Sequence, residues 1–277
     1  MIFLFINKWR FKKLKKILIT SLFLLTSCSA ADVEAYSGSY ADLNEYFKTV
    51  PHNERSFYQS KKKMKKVFFD MQTDFYCGCS YDYKQIKGKE KTVVNPASCG
   101  YKPRKNVERG QYIEWEHVVP AHAFGGDLQC WREPICKDNN GKSFKGRKCC
   151  EKVDEKFQAM QADMYNLQPA VGELNADRSN FKFMQLPNSI KRKEYGKCEF
   201  YVYRENKYKG YVEPRDEVKG DIARTYFYMS HTYNIPMSDQ QFKLFKAWDK
   251  ADPISYEELQ RVNRIEKIQG NKNPYVK

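Results

Sequence analysis

Tyr112-Ile113-Glu114-Trp115-Glu116-His117-Val118-Val119-Pro120 is a β-prone run that ends on a proline. It predicts a strand over residues 111–119. Side chains alternate across a strand, so Glu114 and Glu116 share one face and His117 takes the other. A backbone bend where Pro120 stops the run would return Glu116 and His117 to one site. A carboxylate beside an imidazole suits hydrolysis at a phosphate. The carboxylate holds a cation that takes up developing charge, and the imidazole makes the nucleophile.

About fifty residues on lies Asn166-Leu167-Gln168-Pro169-Ala170-Val171-Gly172-Glu173-Leu174-Asn175-Ala176-Asp177-Arg178-Ser179-Asn180-Phe181. Apolar spacing through Phe157, Met160, Met164 and Leu167 predicts a helix over 153–167 that carries Asn166 and stops before Pro169. Glu116 and Asn166 both offer oxygen, which suits a hard cation such as Mg²⁺, with Ca²⁺ or Mn²⁺ as alternatives. The ordinary reading of Asn166 is a helix-end residue. Glu114, two residues from Glu116, is expected to support the site rather than hold the metal. His117 titrates near neutrality in its free form and can accept a proton from water. The remaining histidines, His52, His122 and His231, sit in no comparable chemistry and read as structural or surface residues.

The 277 residues are 41% hydrophobic, with 20 Tyr and 18 Phe, enough for a packed core. The formal charge of +15 favours a polyanionic partner. Six of those charges lie in residues 8–16, ahead of a nine-residue apolar stretch over 17–25 that is too short to span a bilayer. Leu25-Thr26-Ser27-Cys28 follows, a lipobox-like end to an export signal. Residues 1–27 thus read as a lipoprotein signal peptide with Cys28 as the lipidated residue. An ordinary signal cleaved just beyond Cys28 is the competing reading. Residues 28–45 read as a tether and 46–277 as one domain.

Without Cys28, eight cysteines remain: Cys77, Cys79, Cys99, Cys130, Cys136, Cys149, Cys150 and Cys198. In an exported chain an even set implies disulfides. Zinc is disfavoured because no Cys-x-x-Cys occurs. Connectivity stays open. Helical spacing is expected over 46–73, with a lysine-rich exposed face at 61–66. An irregular disulfide-tied region is expected up to residue 110, a long disulfide-tied loop over 122–150, and a strand or hairpin over 198–212. Helices follow over 221–233, 238–248 and 255–269, the second capped by Ser238 or Asp239 and the third opening on the capping-box pattern Ser255-Tyr256-Glu257-Glu258.

Five ordered motifs resemble the bacterial endonuclease I family of ββα-metal nucleases. They are Phe75-Tyr76-Cys77-Gly78-Cys79, the run 114–121, the run 166–181, Lys219-Gly220-Asp221-Ile222-Ala223-Arg224, and Gln269-Gly270-Asn271-Lys272-Asn273-Pro274-Tyr275-Val276. The resemblance covers roughly residues 55–276. It implies an α+β, mostly helical, disulfide-stapled single domain around a ββα core. It implies a monomeric, sequence-nonspecific endonuclease that cuts DNA, with RNA as an alternative substrate, to 5′-phosphate ends. In that family the histidine at the position of His117 is the general base, and Glu116 and Asn166 would hold the cation. An arginine after a glycine turn holds the cleaved phosphate. Gly146-Arg147 fits that place and Arg132 is its rival, because the loop carries extra residues around 134–143. Asp177-Arg178 repeats the family pattern and reads as an ion pair locking a turn. Periplasmic or surface location follows, with a lipid on Cys28 as the only membrane contact. The non-enzymatic alternative is a basic surface lipoprotein that binds a polyanion, and such a binder has no reason to keep Glu116, His117 and Asn166 together.

Overall fold

The computed structural model describes residues 56–277. The signal peptide, Cys28, the tether, His52 and the start of the first expected helix lie outside the described residues. Helix α1 (Phe57–Val67) buries Ser60, Met64 and Val67, an i, i+4, i+7 stripe, and leaves its lysines outward. The Ser56 side chain caps it by accepting from the Gln59 amide.

The region expected to be irregular holds a hairpin, β1 (Tyr81–Ile86) and β2 (Lys89–Val94), paired antiparallel. Both turn residues, Lys87 and Gly88, have positive φ, as a two-residue hairpin turn requires. Most of its side chains are exposed, so no apolar alternation betrays it. A one-turn helix α2 (Val107–Gly110) leads into β3 (Ile113–His117).

The long loop expected over 122–150 is folded. It contains α3 (Ala121–Gly125), α4 (Gln129–Arg132), the two-residue strands β4 (Cys136–Lys137) and β5 (Ser143–Phe144), and α5 (Arg147–Val153). Cys130–Cys150 and Cys136–Cys149 staple it, while Cys77–Cys198 and Cys79–Cys99 tie the earlier region down. Asp74 lies against Cys77 and Cys79, but both sulfurs are bonded elsewhere and offer no thiolate to a metal.

The helix expected over 153–167 is instead α6 (Glu155–Ala162), a 3₁₀ turn over Met164–Asn166, and then a strand, β6 (Leu167–Val171). Asp163 ends the helix in extended backbone. Strand β6 pairs antiparallel with β3 and sets Glu116 opposite Gln168 and His117 opposite Leu167. Pro169 is tolerated because β6 borders a two-stranded sheet. Its carbonyl accepts from the Phe75 amide at 2.8 Å. Helix α7 (Gly172–Arg178) follows at once, completing β3-β6-α7 as the ββα unit.

A three-stranded sheet of order β7-β9-β8 comes next, with β7 (Lys182–Phe183), β8 (Tyr201–Arg204) and β9 (Gly210–Glu213). The hairpin expected over 198–212 is its antiparallel half. Three helices close the chain: α8 (Lys219–Tyr233), α9 (Asp239–Ala251) and α10 (Tyr256–Gln269). Ser238 and Ser255 cap the last two as expected. The Glu258 carboxylate of the capping-box pattern goes to Arg224 instead.

Asp163 joins these helices to the ββα unit. Its buried carboxylate accepts from the Tyr165 amide, Gln269 Nε2 and the Tyr228 and Tyr233 hydroxyls, all between 2.6 and 2.9 Å. Asp163→Ala removes the acceptor of these four hydrogen bonds. Each donor left without another partner costs about 1–3 kcal/mol. The urea midpoint should fall by the equivalent of about 3 kcal/mol or more, and Asp163→Asn should lose less.

Candidate active site

The β3 end, α7, α1 and α5 enclose a cavity of about 540 Å³. Glu114, Glu116, His117, Asn175 and Arg178 line it, with Lys61 and Arg147 also in its wall. Glu116 and His117 both line it although strand alternation separates them, as residues of both faces of β3 do from Ile113 to His117.

The His117 ring packs at 4.7 Å from Phe57, and its Nε2 lies 2.8 Å from the Gln161 carbonyl oxygen. A carbonyl only accepts, so Nε2 carries the proton and Nδ1 keeps the ring's lone pair. Burial holds the imidazole far below its ordinary range, down to about 3, and the positive charges of Arg147, Arg178 and Lys61 act in the same direction. His117 is therefore neutral at neutral pH, with its lone pair on Nδ1.

Glu116 is buried and meets the Arg178 guanidinium at 3.0 Å and the Tyr76 hydroxyl at 2.7 Å, both through Oε1. Burial pushes its carboxyl up, and Arg178 opposes that shift. The His117 backbone amide, which donates to this carboxylate, opposes it as well. Glu114 is held by Arg109 through two hydrogen bonds of 2.8 and 2.6 Å. Its Oε2 also accepts from Asn175 Nδ2 at 2.8 Å, which leaves Asn175 Oδ1 as an acceptor. A Cβ on Gly172 would stand 2.9 Å from Glu114 Oε1, so the bare glycine lets the carboxylate lie against the start of α7.

Asn166, expected to hold the cation, lies elsewhere. Its Oδ1 accepts from the Val119 amide at 2.7 Å and its Nδ2 donates to the Val119 carbonyl at 3.0 Å. The amide is fully buried, spent at both ends, and outside the cavity wall. It pins the turn after β3 to the turn before β6. The asparagine that does reach the cavity is Asn175, which the sequence reading passed over. Its signal was helical spacing: Asn175 and Arg178 are i, i+3 neighbours on one face of α7.

The expected Asp177–Arg178 pair does not form. Asp177 pairs with Arg104 and Arg204 and accepts from the Tyr195 hydroxyl. Arg178 turns inward to Glu116 and to the His117 and Val118 carbonyls. Arg147 lines the cavity, bonded to Glu151 at 3.1 Å, whereas Arg132 is an exposed partner of Asp127 outside that wall. His122 and His231 are exposed beside the Trp131 and Tyr275 rings.

Carboxylate and amide oxygens are the donors a hard divalent cation takes. Glu116 and Asn175 fit one on that ground, while Glu114 is engaged by Arg109 and Asn175.

Residues 52–277 match the family model described as Endonuclease I. The chain is 44% identical over 221 residues to "Endonuclease-1" of Buchnera aphidicola subsp. Acyrthosiphon pisum, covering 80% of each chain. It is 41% identical over 228 residues to "Extracellular deoxyribonuclease" of Aeromonas hydrophila, covering 82% of this chain and 92% of that one. It is also 41% identical over 223 residues to "Periplasmic deoxyribonuclease" of the same organism, covering 80% and 85%.

The low pKa of His117 sets a pH dependence of stability. Above its ordinary value of about 6.5 the ring is neutral in both folded and unfolded chains. Between there and about 3 the unfolded chain binds a proton that the fold does not. Stability therefore drops as pH falls through that window. The His117→Gln side chain can still donate to Gln161 but does not titrate. Urea melts at about pH 7 and about pH 4 should show a smaller loss in this variant than in the parent. Equal losses would refute the neutral, buried imidazole.

Proposed function

Because the chain belongs to the endonuclease I family, we propose that it cuts phosphodiester bonds in the cavity at the end of β3, with His117 as general base. The chain is an endonuclease that hydrolyses DNA, and it is exported. Its four disulfides agree with an oxidising compartment.

The observation that carries the mechanism is the His117 ring. Its Nε2–H is committed to the Gln161 carbonyl, so the lone pair on Nδ1 is the group that takes a proton from water. The hydroxide so made attacks phosphorus, the bond to the 3′-oxygen breaks, that oxygen takes a proton from a water molecule, and His117 gives its own proton up to solvent. The products are a 5′-phosphate end and a 3′-hydroxyl end. Glu116 and Asn175 are the residues that would hold Mg²⁺, and Glu114 orients Asn175 by accepting from its Nδ2. When bound, the cation supplies positive charge at the phosphate oxygens and at the departing oxygen.

Arg147 offers its guanidinium to the phosphate, where a planar fork gives paired, charge-assisted bonds. Gln161 Oε1, 3.4 Å away, and Glu151 orient it. Lys61, in the same wall, adds charge on the α1 side. Arg178 touches no substrate in this reading. It positions Glu116 and the carbonyl of His117. Grip on the backbone alone gives little sequence preference and a steep salt dependence. RNA stays open as a second substrate, and a lipid on Cys28 would hold the exported monomer at the outer membrane.

Plasmid nicking with Mg²⁺ or with EDTA tests this reading. EDTA should abolish nicking, and His117→Ala should lower kcat by about 10²–10⁴-fold, the usual contribution of a positioned base. Asn175→Ala should raise the Mg²⁺ concentration needed for half-maximal rate by at least about tenfold, as loss of a ligand does. Full activity in His117→Ala would remove the base, and an unchanged Mg²⁺ requirement in Asn175→Ala would remove the ligand.

A further inference from the structure

The segment between Cys130 and Cys150 holds a second cavity, of about 380 Å³, walled by Asp138, Phe144, Lys145, Arg147 and Lys148. Arg147 lines this cavity and the first one, so the two adjoin at that residue. The wall carries three positive side chains and one negative. The negative one is occupied: Asp138 Oδ1 accepts from the Asn140 and Lys142 amides at 2.9 Å and shapes the β4–β5 turn. Lys142 itself stands exposed on that turn.

This basic hairpin is built to stay in place. The Cys136–Cys149 bond ties β4 to α5 two residues beyond Arg147, and Cys130–Cys150 ties α4 to the next residue. Lys145 Nζ donates to the Arg132 carbonyl at 2.8 Å, which fixes the ammonium without neutralising it. The exposed Lys148 ammonium makes no hydrogen bond or ion pair among the described residues. A rigid cationic shelf beside a phosphodiester site has an evident occupant. A strand whose scissile phosphate lies in the first cavity carries further phosphates along the same backbone.

We propose that the β4–β5 hairpin and the start of α5 form an extended subsite for the strand flanking the cleaved bond, with Lys145 and Lys148 contacting its phosphates. The proposal rests on the first cavity being the phosphodiester site. It predicts that substrate length decides whether the hairpin matters. A small diester fills the first cavity only, whereas a DNA strand reaches both.

The test compares duplex DNA with bis(4-nitrophenyl) phosphate, in the full mature chain and in Lys145→Gln/Lys148→Gln. The ratio of kcat/KM on DNA to that on the small diester should fall at least about fivefold in the double variant. Each lost phosphate contact should also make the plot of log affinity against log salt shallower by about 0.9. Lys148→Gln alone breaks no hydrogen bond of its side chain and should give about one such step. The control, Lys250→Gln/Lys267→Gln, removes the same charge from residues that line neither cavity, and it should leave ratio and slope unchanged. An unchanged ratio and slope in Lys148→Gln, or an equal shift in the control, would overturn the subsite. Either result would leave the nuclease reading standing, since that depends on the parent's own cleavage of DNA.

Discussion

The Arg178 guanidinium lies fully buried beneath the end of β3, where it donates to the His117 and Val118 carbonyls and faces the Glu116 carboxylate. It also stacks over the Phe183 ring, 4.7 Å away. One side chain of α7 thereby fixes the last turn of a strand, the angle of the helix, and one of the carboxylates of the cavity. A charge so deep is tolerable only with its partner, because removing one member of a buried pair leaves the other unsolvated. Glu116 therefore serves two ends. It neutralises Arg178 and lines the cavity. A lysine would not do the same work, since one ammonium cannot fork between two carbonyls and a carboxylate.

Around that pair, the polar groups at the β3–β6 junction are matched almost one to one. Asn166 satisfies both backbone groups of Val119, and Asp163 collects two tyrosine hydroxyls and an amide side chain. Arg261 donates to the carbonyls of Met164, Tyr165 and Leu167 from the far side. The turn between α6 and β6 has no regular hydrogen-bond ladder of its own, so side chains supply what backbone neighbours do not. These side-chain bonds let the whole turn be buried.

Much of this was legible before any coordinate. The 111–119 run reads as a strand because its apolar and β-branched residues stop at a proline. The last two helices announce themselves through Ser238 and Ser255. His117 stands out because an imidazole beside a carboxylate at a strand end has few structural uses. Other parts were hidden for physical reasons. The β1–β2 hairpin is solvated on nearly every side chain, so burial left no alternating pattern in its sequence. Residues 153–171 kept apolar spacing through a change of element, and period alone cannot tell a buried helix from a buried strand. Asn166 and Asn175 lie in one motif and offer the same amide. Only the third dimension shows that one is consumed by the backbone and the other opens on the cavity. Asp177 and Arg178 are sequence neighbours, yet adjacent positions on a helix diverge by about 100°, and each found its partner elsewhere.

The way the small sheets end also bears on how such a chain survives at high local concentration. A free strand edge is a template for another copy, and self-association through it is a standing hazard. In the ββα unit both edges are closed: Phe75 and Asp74 hydrogen-bond the outer side of β6, and Tyr112 bridges to Val93 beside β3. The β1–β2 hairpin shares that bridge at Val93, and toward its turn it carries Lys84, Lys87, Lys89 and Lys91. Stacking a second hairpin against it would bring like charges together without apolar burial in return. Those lysines act as gatekeepers against aggregation, a role separate from anything they contribute to holding a polyanion.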